Sequence, residues 1–191
     1  MGASREALGA VPAPARMRLA RRLVEIGLGA LVVAAAAQVL VPVPFSPVPM
    51  TLQPLAVLVV GGLLGAAGGV AALVAYLALG LLGLPVFAGG SSGVLHLLGP
   101  TGGYLLAFPI AAGVTGALAR RGAGVLRVLL ACALGMVVIH AGGVAQLALL
   151  GGDPALAFRV GFVPFLTGDL LKVGLAAAVV LGLRPVLRGA R

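Results

Sequence analysis

The sequence predicts an all-α integral membrane protein with six transmembrane helices. Of its 191 residues, 61% are hydrophobic and only 9% are charged, and the mean hydropathy is +1.22. A chain of this composition lacks the polar surface that a water-soluble globule needs. In lipid, apolar helices satisfy their own backbone hydrogen bonds. The positions of the apolar runs therefore define the spans.

The chain divides into a tail and one helical domain. Residues 1–17 are predicted to form a cytoplasmic N-terminal tail, and residues 18–191 form the six-helix transmembrane domain. The first span runs from about Leu19 to Leu40, which is long enough to remain as a span and too long for a signal peptide. Prolines are dense from Val41 to Pro49, and they prevent the helix from continuing. A structured external loop is expected there.

The second and third spans are short. They cover Leu52 to about Leu64 and Val70 to about Leu82, and glycines at 65, 68 and 69 separate them. This spacing predicts a tight turn between two helices that can fall short of a full bilayer crossing.

Residues 83–103 are apolar but rich in glycine and proline. Such a segment is typical of irregular backbone packed against protein at membrane depth, so we expect an external capping loop over or within a cavity. Three further apolar runs predict the fourth, fifth and sixth spans, at about Tyr104 to Leu118, Val125 to Leu150 and Val163 to Leu183.

The distribution of basic residues tests the count of six. Lys and Arg gather on the cytoplasmic side of membrane proteins. With an even number of spans and both termini inside, the external side receives only Arg159, and Lys172 falls within a span. The cytoplasmic side receives Arg5, Arg16, Arg18, Arg21, Arg22, Arg120, Arg121, Arg127, Arg184, Arg188 and Arg191.

Several classes of function are not indicated. The net charge of +9 is carried by arginine clusters without interleaved aromatic residues, so a nucleic-acid surface is not predicted. Cys132 is alone, which excludes an intramolecular disulfide, and it is interpreted as a packing residue. His96 is interpreted as a loop residue bonded to backbone and His140 as an interhelical hydrogen-bonder. Neither has the neighbours of a metal site. No catalytic constellation and no cofactor site are predicted, so the chain is not expected to be an enzyme.

Asp169 and Lys172 are opposite charges three residues apart inside the sixth apolar run. The i, i+3 spacing puts both on one helical face. A charge within hydrocarbon costs about 2.5–3.5 kcal/mol on insertion scales, so such residues usually mark ligand sites or pathways. The pair offers an acceptor and a donor to a small polar ligand. The alternative is a structural ion pair that locks the sixth helix.

Two further patterns leave alternatives open. Ala30 and Ala34 form a small-xxx-small stripe on the first span, which serves either packing within the bundle or docking of another membrane subunit. Gln53 and Gln146 either line a cavity or cross-link helices.

Four ordered motifs resemble those of the BioY family, the biotin-binding S components of energy-coupling-factor (ECF) transporters. The motifs are VPFSPVPMTLQ at 43–53, GLPVFAGG at 83–90, LGPTGGY at 98–104 and FLTGDLLK at 165–172. The resemblance implies an S-component-like bundle in a prokaryotic cell membrane that captures biotin under external loops. It also implies two kinds of partner: a transmembrane coupling subunit and cytoplasmic ATPase subunits, which use the ATP.

The resemblance also implies site residues. Asp169 and Lys172 are expected to contact biotin, and the docking role of Ala30 and Ala34 gains weight. Further substrate contacts are expected from Tyr104, Ser91, Gly90 and Gln53, and less directly from His96.

No arginine lies between Arg22 and Arg120, so an arginine clamp on the ligand carboxylate is absent from that stretch. Tyr104 or backbone N–H groups of the Gly-rich loop are the substitutes.

Two alternatives to biotin capture stay open. The first is an S component for another small vitamin-like carboxylate. The second is a proton-coupled carrier in which Asp169 is the proton site, although the sequence lacks the paired broken helices of an inverted repeat.

Overall fold

A computed structural model describes residues 15–120 and 122–189 and confirms the all-α fold. Of the predicted tail, residues 1–14 lie outside the described residues, and the first helix already begins at Ala15. Two short strands and two 3₁₀ turns, Ala88–Gly90 and Val163–Phe165, lie between the helices. The elements are α1 Ala15–Ala37, β1 Leu40–Val41, β2 Met50–Thr51, α2 Gln53–Leu81, α3 Val94–Leu98, α4 Gly102–Leu118, α5 Val125–Gly151, α6 Pro154–Gly161 and α7 Leu166–Gly189.

Helix α2 is a helical hairpin. Gly65 has φ 76° and ψ 177°, which no helix contains, and the chain reverses there. A β-carbon on Gly69 would lie 2.9 Å from the Cα of Gly61, although eight residues of straight helix span about 12 Å. The two limbs, residues 53–64 and 66–81, are therefore antiparallel, as the sequence predicts. Each limb is shorter than the roughly 20 residues of a full crossing.

The bundle has six long helical segments: α1, the two limbs of α2, α4, α5 and α7. By length and composition alone, three stretches of the described chain qualify as spans: Gln53–Leu81, Val125–Gly151 and Pro154–Pro185. The first of these contains both limbs of the hairpin, and the last contains α6 and most of α7. Helix α4 is apolar but shorter.

Small residues let the central helices approach closely. A β-carbon on Gly61 of α2 would collide with the backbone of Ala112 of α4, so the two helices are in close contact at this glycine. In the same way Gly103 of α4 lies against Gly142 of α5. Because helices in lipid associate through close packing, these glycines bring α2, α4 and α5 into the core of the bundle.

Basic residues gather at one end of the bundle, which we call the basic end. Arg184 of α7 donates to the carbonyls of Gly62, Ala119 and Arg120, so the end of α7, the α2 turn and the end of α4 meet there. Arg127 donates to Leu118 O at 2.9 Å at the start of α5. The structure thus brings together Arg120, Arg127 and Arg184, three of the arginines that the sequence assigns to one side.

The opposite end, here the loop end, carries the connections that cover the bundle. Strands β1 and β2 pair antiparallel, with Leu40 opposite Thr51. The Pro-rich loop between them, residues 42–49, is tied to α6 by the Ser46 hydroxyl, which donates to Val160 O at 2.8 Å. Asp153 caps the N-terminus of α6 by accepting from two backbone N–H groups. The strand pair, α3 and α6 are not among the elements predicted from the sequence. Helix α7 begins at Leu166, after the turn that contains Pro164.

Candidate functional site

A cavity lies at the loop end between α4, α5 and α7, covered by the Pro-rich loop and the segment before α4. The space free of protein atoms is about 540 Å³ when the open solvent at its mouth is included. Its walls are largely apolar, with side chains such as Phe108, Ile139 and Phe165. Its polar lining residues are Thr51, Gln53, His96, Thr101, Tyr104, His140, Asp169 and Lys172.

Asp169 and Lys172 face this cavity and do not face lipid. They are 5% and 6% exposed, and Lys172 Nζ lies 2.9 Å from Asp169 Oδ1. An ammonium has three protons to donate. Within residues 15–120 and 122–189, the carboxylate of Asp169 is the acceptor found for Lys172. The remaining donors are available to a ligand in the cavity.

His140 completes the polar cluster from α5. Its Nε2 lies 2.5 Å from Asp169 Oδ2, so the carboxylate is held between an imidazole and an ammonium group. Its Nδ1 lies 3.3 Å from Gly161 O. The interpretation of His140 as an interhelical hydrogen-bonder left out its contact with Asp169, because the two residues are 29 positions apart in the sequence.

Tyr104 and Gly161 form the second contact of this cluster. The Tyr104 hydroxyl donates to Gly161 O at 2.6 Å, which is the same carbonyl that faces His140. The Tyr104 ring lies edge-on to His140 with centroids 5.9 Å apart. Gly161 has no room for a side chain, since a β-carbon there would lie 2.7 Å from the Tyr104 hydroxyl. Through the carbonyl of Gly161, the end of α6 thereby holds both Tyr104 and His140 in the cavity wall.

Gln53 lies in the cavity wall with its carboxamide engaged. Its Nε2 donates to the Tyr76 hydroxyl at 2.7 Å, and its Oε1 accepts from Thr51 at 3.1 Å. Tyr76 in turn donates to Val86 O at 3.2 Å. This chain of bonds connects both limbs of α2 to the loop that follows them. Gln53 thus cross-links helices and lines the cavity at once.

His96 enters the cavity wall from α3. Its Nε2 is 3.2 Å from the Thr101 hydroxyl, and its ring stacks on Phe87 at 5.2 Å. Burial lowers the pKa of His96 below the usual imidazole value, because desolvation disfavours the charged form. The surroundings of His96 therefore favour its neutral form.

Other predicted residues lie away from the cavity lining. Gly90 ends the 3₁₀ turn Ala88–Gly90 and Ser91 follows it. In this turn Ala88 lines the cavity, and its carbonyl accepts from the Ser91 hydroxyl at 2.7 Å. Gln146 supports the covering loop by donating to Leu97 O and Gly99 O at 2.9 and 2.6 Å. Substrate contact by Gly90 and Ser91 stays a prediction.

Ala30 and Ala34 of α1 are buried among core residues, at 1% and 9% exposure. They therefore take part in packing within the bundle, and docking through them stays a prediction. Leu28, Leu31 and Val32 of the same helix face outwards.

The cavity suits a small ligand with a polar head and an apolar body. At one wall the Asp169 carboxylate can accept a hydrogen bond from a ligand, and a few ångströms away the Lys172 ammonium can donate one. Such charge-assisted hydrogen bonds are strong where little water is present. Aromatic and aliphatic side chains form the rest. Within the described ranges no three His, Cys, Asp or Glu residues cluster in a way that could hold a metal ion.

The chain is similar to known proteins over most of its length. The model of the BioY family matches residues 8–189. The biotin transporter BioY of Thermotoga maritima is 38% identical over 164 residues, covering 86% of this chain and 96% of that protein. The probable biotin transporter BioY of Pyrococcus horikoshii is 41% identical over 158 residues, covering 81% and 93% respectively.

A solved structure has the same fold. It is a crystal structure described as the S-component for biotin from an ECF-type ABC transporter. It superposes with a TM-score of 0.83 and 27% sequence identity, covering 91% of this chain and 95% of that one. The similarity therefore extends over the whole bundle.

Proposed function

The chain belongs to the BioY family, and on this premise we propose that it captures biotin as the S component of an ECF-type transporter. It is a transport protein and not an enzyme. The observation that carries the proposal is the buried Asp169–Lys172 pair, which lines a cavity at the loop end and has donors available to a ligand. A purely structural pair would be sealed in the core instead.

The chemistry of biotin fits the cavity. Its ureido group has two N–H donors and one carbonyl, its bicycle and side chain are apolar, and a carboxylate ends the tail. Asp169 accepts from a ureido N–H and Lys172 donates to a ligand oxygen. Both bonds are charge-assisted, which makes them stronger than neutral ones. Phe108, Ile139 and Phe165 offer apolar surface to the bicycle.

The orientation in the membrane follows from the charge distribution. We assign the basic end, with Arg22, Arg120 and Arg184, to the cytoplasm of a prokaryotic cell, because basic residues concentrate on that side. Both termini are then cytoplasmic. The cavity then opens to the outside, where biotin is captured.

Release requires partners in this proposal. The sequence carries no phosphate-binding Gly-rich motif, so ATP is used by separate ATPase subunits, and a transmembrane coupling subunit transmits the change. The chain itself uses no cofactor. The outward face of α1, with Leu28, Leu31 and Val32, is a surface open to a membrane partner.

The test is equilibrium binding of labelled biotin to the purified protein without nucleotide. We expect saturable binding with one site per chain. Desthiobiotin, which keeps the ureido group, should compete, whereas lipoate, which has a similar carboxylate tail but no ureido group, should not. Competition by lipoate at equal strength would favour an S component for another vitamin-like carboxylate. Absence of biotin binding would overturn the proposal.

A further inference from the structure

His140 faces hydrogen-bond acceptors on both sides of its ring. Nε2 lies 2.5 Å from the carboxylate of Asp169, and Nδ1 lies 3.3 Å from the carbonyl of Gly161. A backbone carbonyl can only accept, and an ionised carboxylate can only accept. A neutral imidazole has one N–H and one lone pair, so it satisfies one of these partners and opposes the other.

The Gly161 carbonyl of α6 can accept a second hydrogen bond. The Gly161 carbonyl already accepts from the Tyr104 hydroxyl at 2.6 Å, and a carbonyl oxygen has a second lone pair for another donor. The ionised form of Asp169 is favoured by Lys172 at 2.9 Å. The Gly161 carbonyl and the Asp169 carboxylate can therefore each accept a hydrogen bond from a ring N–H of His140.

We propose that His140 is a positioning residue of the ligand site, which acts as an imidazolium that bridges Gly161 to Asp169 and aims the carboxylate at the cavity. The inference rests on the proposed capture of biotin. With Oδ2 held by His140 and Oδ1 held by Lys172, the carboxylate cannot rotate, and each oxygen keeps a lone pair for a ligand N–H. The cluster of His140, Asp169 and Lys172 carries a net charge of +1.

The surroundings protect this arrangement from water. The rings of Tyr104, Phe162 and Phe165 lie 5.9, 5.0 and 6.1 Å from the His140 ring, centroid to centroid. His140 itself is 7% exposed. Hydrogen bonds that are shielded in this way are stronger than those in water.

Within the described part of the chain, few charged and titratable groups surround His140. Asp169 and Lys172 face it from α7, and Tyr104 faces it from α4. Among the described residues 154–165, it meets the Gly161 carbonyl and the rings of Phe162 and Phe165. His96 of α3 lines the same cavity. Of these groups, His96 is the one that could give a similar pH response, so it must be controlled.

The experiment measures biotin affinity of the full chain from about pH 5.5 to about pH 9, a window that lies between the ordinary pKa values of carboxyl and ammonium groups. Because the proposed bridge needs an N–H on both ring nitrogens of His140, the wild type should lose affinity as the pH rises, by up to about tenfold per pH unit. The loss should persist in His96→Gln.

Substitutions at His140 separate positioning from packing. His140→Gln places an amide N–H near the Nε2 position, so it should bind biotin within about fivefold of the wild type at low pH but without the pH dependence. His140→Ala should bind about 10- to 100-fold more weakly, as expected when a charge-assisted bond is lost. If His140→Ala yields little folded protein, His140→Gln alone decides through its pH profile.

The outcomes are distinct. Wild-type affinity that is flat across the window, or a pH profile that His140→Gln leaves unchanged, would overturn the inference while biotin capture stands. Normal affinity in a destabilised His140→Ala would also overturn it, because a packing residue behaves in that way. A wild type that binds no biotin at any pH would instead refute the proposed function.

Discussion

Gln53 and Tyr76 lie 23 positions apart in one helical segment, yet Gln53 Nε2 donates to the Tyr76 hydroxyl at 2.7 Å. In a straight helix their Cα atoms would be about 34 Å apart. The bond is possible because the chain reverses at Gly65. It closes the open ends of the α2 hairpin at the cavity wall, so the geometry of a turn at the basic end determines a contact at the loop end.

The first prediction concerns this turn. Gly65→Ala should lower the free energy of unfolding by about 1–3 kcal/mol, because φ 76° with ψ 177° is a conformation that L side chains avoid. A β-carbon there would meet open space, so the effect is conformational and not steric. Thermal unfolding in detergent measures it. The matched control is Gly182→Ala in α7, which also has open space but a helical backbone. Equal destabilisation by both variants would contradict the explanation.

The turn of the α2 hairpin could be predicted from the sequence because the residues that indicate it are adjacent in the chain. Gly65, Gly68 and Gly69 interrupt an apolar run, and glycine at such a position indicates a turn. Helix α6 was missed for the opposite reason. It is eight residues long, its apolar content merges with that of the neighbouring spans, and its cap, Asp153, resembles any loop residue in the sequence. The β1–β2 pair has two residues in each strand, too few for an alternating pattern.

The second prediction tests the ion pair. Lys172→Met keeps the apolar stem of the side chain and removes its charge. It should weaken biotin binding by about 10- to 100-fold, the effect of losing a charge-assisted hydrogen bond. The protein should stay folded and monodisperse, because Asp169 retains His140 at 2.5 Å. Equilibrium binding and size-exclusion chromatography measure the two effects.

A control for this variant removes a cation elsewhere at the loop end. Arg159 lies exposed on α6, and Arg159→Met should leave affinity within about twofold, since exposed charges contribute little. If Lys172→Met unfolds the bundle while the folded fraction binds biotin normally, the pair is structural.

The site could be predicted only in part. Asp169 and Lys172 stood out because charges are rare in apolar runs, and their spacing puts them on one face. His140 and Gly161 belong to other segments, 29 and 8 residues before Asp169, and no sequence period connects them with it. Their role depends on how α5, α6 and α7 pack. A lone histidine in a span and a glycine at a helix end each have common packing explanations, so only the three-dimensional contact reveals the cluster.

The third prediction concerns the support of Tyr104. Gly143 of α5 lies against the Tyr104 ring, and a β-carbon there would overlap the ring atoms. Gly143→Ala should displace the ring and break its 2.6 Å bond to Gly161, at a cost of about 1–3 kcal/mol for overpacking. Biotin affinity should fall together with the melting temperature. Gly151→Ala, at the open end of the same helix, should change neither. A normal affinity in Gly143→Ala would show that the position of Tyr104 is unimportant for binding.

The fourth prediction separates the stability of the basic end from capture at the loop end. Arg184 donates to Gly62 O at 3.2 Å, to Arg120 O at 3.3 Å and to Ala119 O, and these are carbonyls that helix ends leave without partners. Arg184→Ala should therefore cost about 1.5–3 kcal/mol of unfolding free energy. Arg184→Lys should recover only part of it, because an ammonium cannot reproduce the planar fork of donors.

Biotin affinity should be unchanged in both Arg184 variants, since the cavity lies at the other end of the bundle and Arg184 is not among its lining residues. Arg18→Ala, which removes an exposed arginine of α1, should alter the unfolding free energy by no more than about 0.5 kcal/mol. Thermal unfolding and labelled-biotin binding on the same preparations measure both quantities. A loss of affinity in folded Arg184→Ala would mean that the two ends are coupled, so that the contacts that close the basic end also shape the cavity.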